Sequence, residues 1–169
     1  SEGRLVNLKQ IQPSKHSIEL ASRTEKDPRL VELILSESKK VIRFKKGLIV
    51  VQNHQGVILA NAGIDHSNVE QDDEKEQVLL LPKNSDVSAE KIHKNLFART
   101  GFHLGVIIND SIGRAWRNGT IGTAIGVAGL PAILDLKGRD DLFGNPLQVS
   151  EQAIADELAS AASLIQGQA

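Results

Sequence analysis

Apolar residues recur at helical spacing early in the chain. Leu30, Leu33 and Ile34 stand at i, i+3 and i+4 and predict one apolar helix face running to about Ser38. Asp27-Pro28 opens that helix, with an acceptor at the N-cap and a proline in the first turn. Pro13-Ser14 punctuates the segment before it, and Ser14 is placed to cap a helix over Lys15 to Arg23. The period then shortens. Leu48 to Val51 and Val57 to Ala60 are short apolar runs separated by the turn residues Asn53-His54-Gln55-Gly56, which predicts a β-hairpin.

Asn61 to Asn68 leaves the second strand as a polar loop. Glu70 to Glu76 is acid-rich and reads as a solvated loop. Val78 to Leu81 is a further strand, ended by Pro82. Ser85 or Asp86 is expected to cap a helix reaching Thr100, with Gly101 as its left-handed stop. Leu104 to Ile108 predicts the next strand, with Asp110 just past its end. Thr120 to Leu130 carries Gly122, Gly126 and Gly129, and reads either as a glycine-interrupted strand or as a packed loop. Lys137 to Asn145 is polar and turn-rich. Ser150 is the expected cap of a last helix whose apolar face is Ile154, Leu158, Ala161 or Ala162, and Ile165. Its alanines would permit close packing. The whole pattern predicts an α/β (α+β) fold: a mixed, largely antiparallel sheet with packed helices.

At 169 residues one domain over 1–169 is expected. A net charge of −1, with no run of four basic residues, gives no electrostatic footprint for nucleic acid. The absence of cysteine excludes disulfides, thiolate metal sites and a cysteine nucleophile, and fits a reducing cytoplasm. No apolar stretch reaches membrane-spanning length, and Ser1 to Gln10 is too polar for a signal peptide. The chain contains no methionine, so it does not begin at an initiator.

Two segments concentrate the chemistry: Asn61-Ala62-Gly63-Ile64-Asp65-His66-Ser67-Asn68, and Ile107-Ile108-Asn109-Asp110-Ser111-Ile112-Gly113-Arg114-Ala115-Trp116-Arg117. Each follows an apolar run and sets an aspartate beside a hydroxyl or amide. Carboxylates and hydroxyls can hold Mg²⁺ or Mn²⁺, while arginines and loop N–H groups can hold phosphate. For Asp65 the bland alternative is an Asx-turn, and for Asp110 a helix or turn cap. Arg114 and Arg117 share one face if their loop is helical, and suit phosphate or carboxylate oxygens; structural ion pairing is the alternative. Trp116 is expected to pack beneath the loop rather than stack on a ligand. The five histidines show no ligand spacing, no phosphate-loop motif is present, and Lys137-Gly138-Arg139-Asp140-Asp141 reads as a solvated loop or dimer contact.

These two segments, with Ser1-Glu2-Gly3-Arg4, Lys26-Asp27-Pro28-Arg29 running on to Ser38, Asp156-Glu157-Leu158-Ala159-Ser160-Ala161-Ala162 and Gly167-Gln168-Ala169, resemble the coenzyme F-420-0:L-glutamate ligase family, the gamma-glutamyl ligases of the deazaflavin coenzyme. The resemblance runs along nearly the whole chain, in order. Asp110-Ser111-Ile112 replaces the family's Asp-Thr-aromatic, Ala115 its proline before Trp116, and Asn84-Ser85 its Asp-Pro. Serine keeps threonine's hydroxyl.

The resemblance implies GTP-dependent attachment of L-glutamate to the deazaflavin precursor, then further gamma-linked glutamates, through an acyl phosphate. By carry-over, Asp65, Asp110 and Ser111 are metal ligands, with Asp65 and Asp110 expected to converge on one ion or a pair. Asn68 faces GTP, as does the motif begun at Gly167, Gln168 and Ala169. Arg114 and Arg117 are assigned to anionic groups from their chemistry alone. A homodimer is implied, and so is a family sequence that extends beyond both ends of this chain, with a nucleotide-contacting Ser-Lys pair upstream. The competing readings are a relative that keeps the fold without ligating, and a ligase for a different acid.

Overall fold

A computed structural model describes residues 3–66 and 76–167, and these form two compact units, residues 1–83 and 84–169. Among them is a mixed α/β architecture of four α-helices and antiparallel strand pairs.

The first unit begins with β1 (Arg4–Asn7), followed by a 3-10 turn at Leu8–Gln10. Helix α1 (Lys15–Thr24) starts where the Ser14 hydroxyl accepts the N–H of Ser17 at 3.2 Å. Helix α2 (Pro28–Ser36) starts where Asp27 accepts the N–H of Arg29 at 2.8 Å, so both expected caps are in place. Strands β2 (Ser38–Lys45), β3 (Leu48–Asn53) and β4 (Ile58–Ala60) form an antiparallel sheet in that order. The expected hairpin is β3–β4. Its turn is held by Asn53, whose Oδ1 accepts N–H groups of Gln55 and Val57 at 3.0 and 2.9 Å. β5 (Gln77–Leu80) pairs with β1.

β2, like β1, is an element the apolar pattern misses. Its Ser-Lys-Lys-Val-Ile-Arg-Phe-Lys sequence is bulged twice and sits at a sheet edge, where lysines discourage pairing with another chain. Two apolar clusters hold this unit. One joins Leu20, Ala21, Val31, Ile34, Ile49, Val51 and Ala62; the other joins Leu8, Leu33, Val78 and Leu80. Each fully buried aliphatic chain contributes about 1.5–3 kcal/mol. Leu30 and Ile64 pack against both clusters, so the chain just before Asp65 is pinned from two sides.

The second unit is built around a long hairpin, β6 (Val106–Gly113) and β7 (Thr120–Ala128). Helix α3 (Ser85–Thr100) precedes it, capped by Asn84 rather than by Ser85 or Asp86, and stopped at Gly101 with φ 74° as expected. After it come the short pair β8 (Leu134–Asp135) and β9 (Glu151–Gln152), then α4 (Ile154–Gln166). Ser150 does not cap α4. Glu151 and Gln152 are drawn into β9, and the helix starts after Ala153 without a side-chain cap.

Glycine explains why Thr120 to Leu130 read ambiguously. It is a regular strand, and Gly122 and Gly126 are where helices lie against its backbone. A Cβ at Gly122 would fall on the Ala159 carbonyl and Ser163 Oγ of α4; one at Gly126 would fall on Ser85 of α3. The edge of β7 not used by β6 is capped by carboxylates from both helices. Asp156 accepts the N–H of Ala124 at 2.8 Å, and Asp86 accepts that of Val127 at 2.9 Å. The face by which α4 packs is therefore Ala155 and Ala159, with Ser160 donating to the Gly122 carbonyl. The expected Leu158–Ile165 face is exposed instead. Among the described residues no helix is long and apolar enough to cross a membrane.

Candidate functional site

Asp65 follows a short stretch of unusual backbone. Asn61, Ala62 and Gly63 all adopt positive φ, at 50°, 56° and 70°. Non-glycine residues pay roughly 1 kcal/mol or more for this region, and such strain concentrates where a chain must be aimed. Several contacts hold it. Asn61 Oδ1 accepts the N–H of Ile49 at 3.2 Å, Ala62 is buried in the core, and Gly63, at positive φ, lies close against the Leu81 and Leu59 side chains. Asp65 itself exchanges both backbone hydrogen bonds with Leu79, at 2.9 and 2.8 Å, as an antiparallel bridge onto β5. Asp65 is thus half-buried on a backbone fixed by β5, and His66 is exposed beside it. Asn68 lies outside the described residues.

Asp110 lies within β6, not beyond its end. The strand continues because Asp110, Ser111 and Ile112 pair with Thr123, Gly122 and Ile121. A β-bulge sits immediately before this stretch: Ile108 pairs with Gly126 but Asn109 with Ala124, leaving Ile125 as the extra residue. The extra residue bends β7 and increases the local twist of the pair beside Asp110. Asp110 Oδ1 accepts the N–H of Ser111 at 2.8 Å within the strand. Asn109, one residue earlier, donates to the Ala159 carbonyl and Ser163 Oγ at 3.3 and 3.0 Å and ties β6 to α4.

The hairpin tip is not helical, so Arg114 and Arg117 do not share a helix face. Arg114 donates to the Asn118 carbonyl at 2.7 Å, and the N–H of Arg117 reaches the Arg114 carbonyl at 3.4 Å. Trp116 does not pack beneath the tip. Its φ is 62° and it is 99% exposed, because a two-stranded hairpin end has no layer beneath it to bury a ring. Gly167 ends α4 with φ 72°, its N–H bound to the Ser163 carbonyl at 3.1 Å; Gln168 and Ala169 lie outside the described residues.

The first unit also contains a cleft of about 350 Å³ that motif reasoning did not assemble. Arg4 crosses it, donating from Nε to the Leu81 carbonyl at 3.0 Å and gripping Glu37 with both terminal nitrogens, at 3.1 and 2.5 Å. His54 Nε2 lies 2.9 Å from the Ser36 carbonyl. A carbonyl only accepts, so the proton is on Nε2. Gln55 donates to the Pro82 and Lys83 carbonyls at 2.9 and 3.1 Å, and Ala62 forms part of the wall. The sequence signal for this cleft is indirect: Arg4 and Glu37 belong to two of the motifs that carry the family resemblance, and His54 to the turn Asn53-His54-Gln55-Gly56.

Hard oxygen donors therefore stand at ordered backbone positions in both units: the Asp65 carboxylate in the first, and the Asp110 carboxylate with the Ser111 hydroxyl in the second. Among the described residues no three His, Asp or Glu side chains cluster as a metal cage. Mg²⁺ is commonly held by one or two carboxylates plus substrate phosphates, and this donor chemistry fits that mode.

This α/β architecture presents carboxylates from paired backbone, Asp65 on a β-bridge and Asp110 within β6. The comparison with known sequences is more specific. The F420-0:Gamma-glutamyl ligase family profile matches residues 1–169, and the chain belongs to that family. It is 46% identical over 168 residues to a coenzyme F420:L-glutamate ligase of Methanocaldococcus jannaschii, covering 99% of this chain and 66% of that protein. It is 48% identical over 169 residues to the enzyme of the same name from Methanothermobacter thermautotrophicus, covering 100% of this chain and 66% of that protein. The Archaeoglobus fulgidus protein of that name is 39% identical over 168 residues, covering 99% and 66%. The chain spans about two thirds of the length of these relatives.

Proposed function

We propose that this protein ligates L-glutamate to the coenzyme F420 precursor at the expense of GTP, and adds further glutamates through gamma linkages. The observation that carries the reading is the unbroken family match over residues 1–169, together with relatives at 46% and 48% identity that are named coenzyme F420:L-glutamate ligase. In the proposed reaction a carboxylate oxygen of the acceptor attacks the γ-phosphorus of GTP and GDP leaves. The glutamate amine then attacks the acyl carbon, phosphate leaves with the bonding pair, and the nitrogen loses a proton.

Asp65 in the first unit, and Asp110 with Ser111 in the second, are the residues we assign to divalent cations, Mg²⁺ or Mn²⁺. Such an ion neutralises phosphate charge and orients the transferred group. What this chain supplies is positioning. The Asp65 backbone is held to β5 and its approach is aimed by the left-handed Asn61–Gly63 turn. Asp110 stands in a paired strand, opposite Thr123 and beside the bulge of β7. Preorganised donors of this kind need no rearrangement as charge develops. Arg114 and Arg117, on an exposed hairpin tip, are assigned to anionic groups of nucleotide or substrate, and Asn68, Gly167, Gln168 and Ala169 to GTP.

The test is to incubate the protein with GTP, Mn²⁺, L-glutamate and the deazaflavin precursor and follow GDP, phosphate and product mass. One GDP and one phosphate should appear for each glutamate added. Product formed without GTP consumption, or GTP turnover independent of glutamate, would refute the reading.

A further inference from the structure

We propose that the cleft bounded by Arg4, Glu37, His54 and Lys83 takes the incoming amino acid, L-glutamate, by its carboxylates and its ammonium group; this rests on the glutamate-ligating reading above. The cleft lies wholly within the first unit, in residues 1–83. It carries both signs of charge within one small volume. Arg4 and Lys83 are cationic donors suited to carboxylates, and Glu37 is an anionic acceptor suited to an ammonium. The His54 tautomer that donates from Nε2 to the Ser36 carbonyl leaves Nδ1 as a second acceptor for the ammonium.

Both charges are held before any ligand arrives. The two-pronged Arg4–Glu37 pair is half-buried and tied to the Leu81 carbonyl, which fixes the guanidinium plane and leaves further N–H donors on it. The other reactants fit less well. A fused ring system calls for a large aromatic side chain to stack on, and no Phe, Trp or Tyr lines the cleft. A triphosphate calls for cations throughout, whereas Glu37 would oppose it. At about 350 Å³ the space accommodates a five-carbon amino acid. One wall is Ala62, three residues before Asp65 on the same pinned segment, so a ligand here lies against the loop that presents the assigned metal aspartate.

The experiment is calorimetric titration of L-glutamate into the protein with GDP and Mn²⁺ present, in parallel with steady-state ligation. Lys83 and His54 are exposed, so their variants should fold normally, and thermal midpoints check this. Lys83→Glu should weaken glutamate binding, and raise its KM, by about tenfold or more, the loss expected for a charge-assisted contact. His54→Ala should weaken it several-fold. Lys83→Arg should stay within about threefold of the parent, and the KM for GTP should not move. Unchanged glutamate affinity in both Lys83→Glu and His54→Ala overturns the assignment, as does an absence of glutamate binding by the parent protein. Should Lys83→Glu not fold, the His54→Ala result decides. Glutamate binding that these variants weaken, without GTP-dependent ligation, would refute the ligase reading and leave the cleft assignment standing.

Discussion

At the scale of single residues, Asp110 separates chemistry from stability. Its Oδ1 accepts the N–H of Ser111, and asparagine keeps that oxygen while removing the charge. Asp110→Asn should therefore leave the thermal midpoint close to the parent's while glutamate ligation falls by several orders of magnitude at ordinary Mn²⁺ concentrations. Midpoint and GTP-dependent ligation measured on one preparation check this; near-normal turnover would remove Asp110 from the metal. Gly63 gives the opposite signature. Its φ is 70°, and a Cβ would stand 2.6 Å from Leu81 Cδ1 and 2.9 Å from Leu59 Cδ1. Gly63→Ala combines left-handed strain with overpacking and should cost about 1–3 kcal/mol in urea unfolding. Activity should fall with it, since the segment it disturbs carries Asp65.

At the scale of elements, the α1–α2 pair should make the first unit acid-sensitive. The side-chain bonds of Arg29 hold the Asp27 carboxyl below its ordinary pKa, and the Ser14 hydrogen bonds do the same for Glu32. A carboxyl depressed in the folded state stabilises above its unfolded pKa. That stability is lost as pH falls through the folded value, here from about pH 4 downward. Asp27→Asn retains a capping oxygen but not the titrating charge, so its stability should decline less steeply than the parent's below pH 4. Urea midpoints at pH 7, 4 and 3 measure the difference. Asp27→Ala should instead lose roughly 1 kcal/mol at pH 7, the usual worth of an N-cap. In the second unit the sensitive contact is β7 against α4. Gly122→Ala forces a methyl onto the Ala159 carbonyl and should cost about 1–3 kcal/mol, read by denaturant unfolding.

At the scale of the whole molecule, two properties follow from what the surface carries. Leu164 and Ile165 are 88% and 90% exposed at the end of α4, and Leu158 is also exposed. Apolar side chains gathered on one helix mark a surface suited to burial, and we expect a homodimer. Light scattering at micromolar concentration should give twice the chain mass, and a monomer would count against it. Metal removal supplies the second expectation. Excess EDTA should abolish ligation while leaving the helical circular dichroism intact, because the described cores are apolar and closed without an ion. Mn²⁺ or Mg²⁺ should restore activity.

The sequence by itself determined what depends on neighbours along the chain. Ser14 and Asp27 cap their helices, Gly101 stops α3, and the Asn53–Gly56 turn joins β3 to β4, because capping and turn chemistry act over two to four residues. The family motifs were legible for the same reason: residue identities in order need no coordinates. What tertiary structure decided lies where packing overrides pattern. β2 is charged yet becomes a strand because β3 pairs with it, and Thr120–Ala128 tolerates glycines because α3 and α4 press onto its backbone. Asp110 belongs inside β6 because β7 extends its ladder beyond the apolar run. α4 buries its small residues and exposes its large ones because close approach to β7 leaves room only for alanine. The cleft of Arg4, Glu37, His54 and Lys83 joins residues up to 79 positions apart, a proximity that only a folded chain creates.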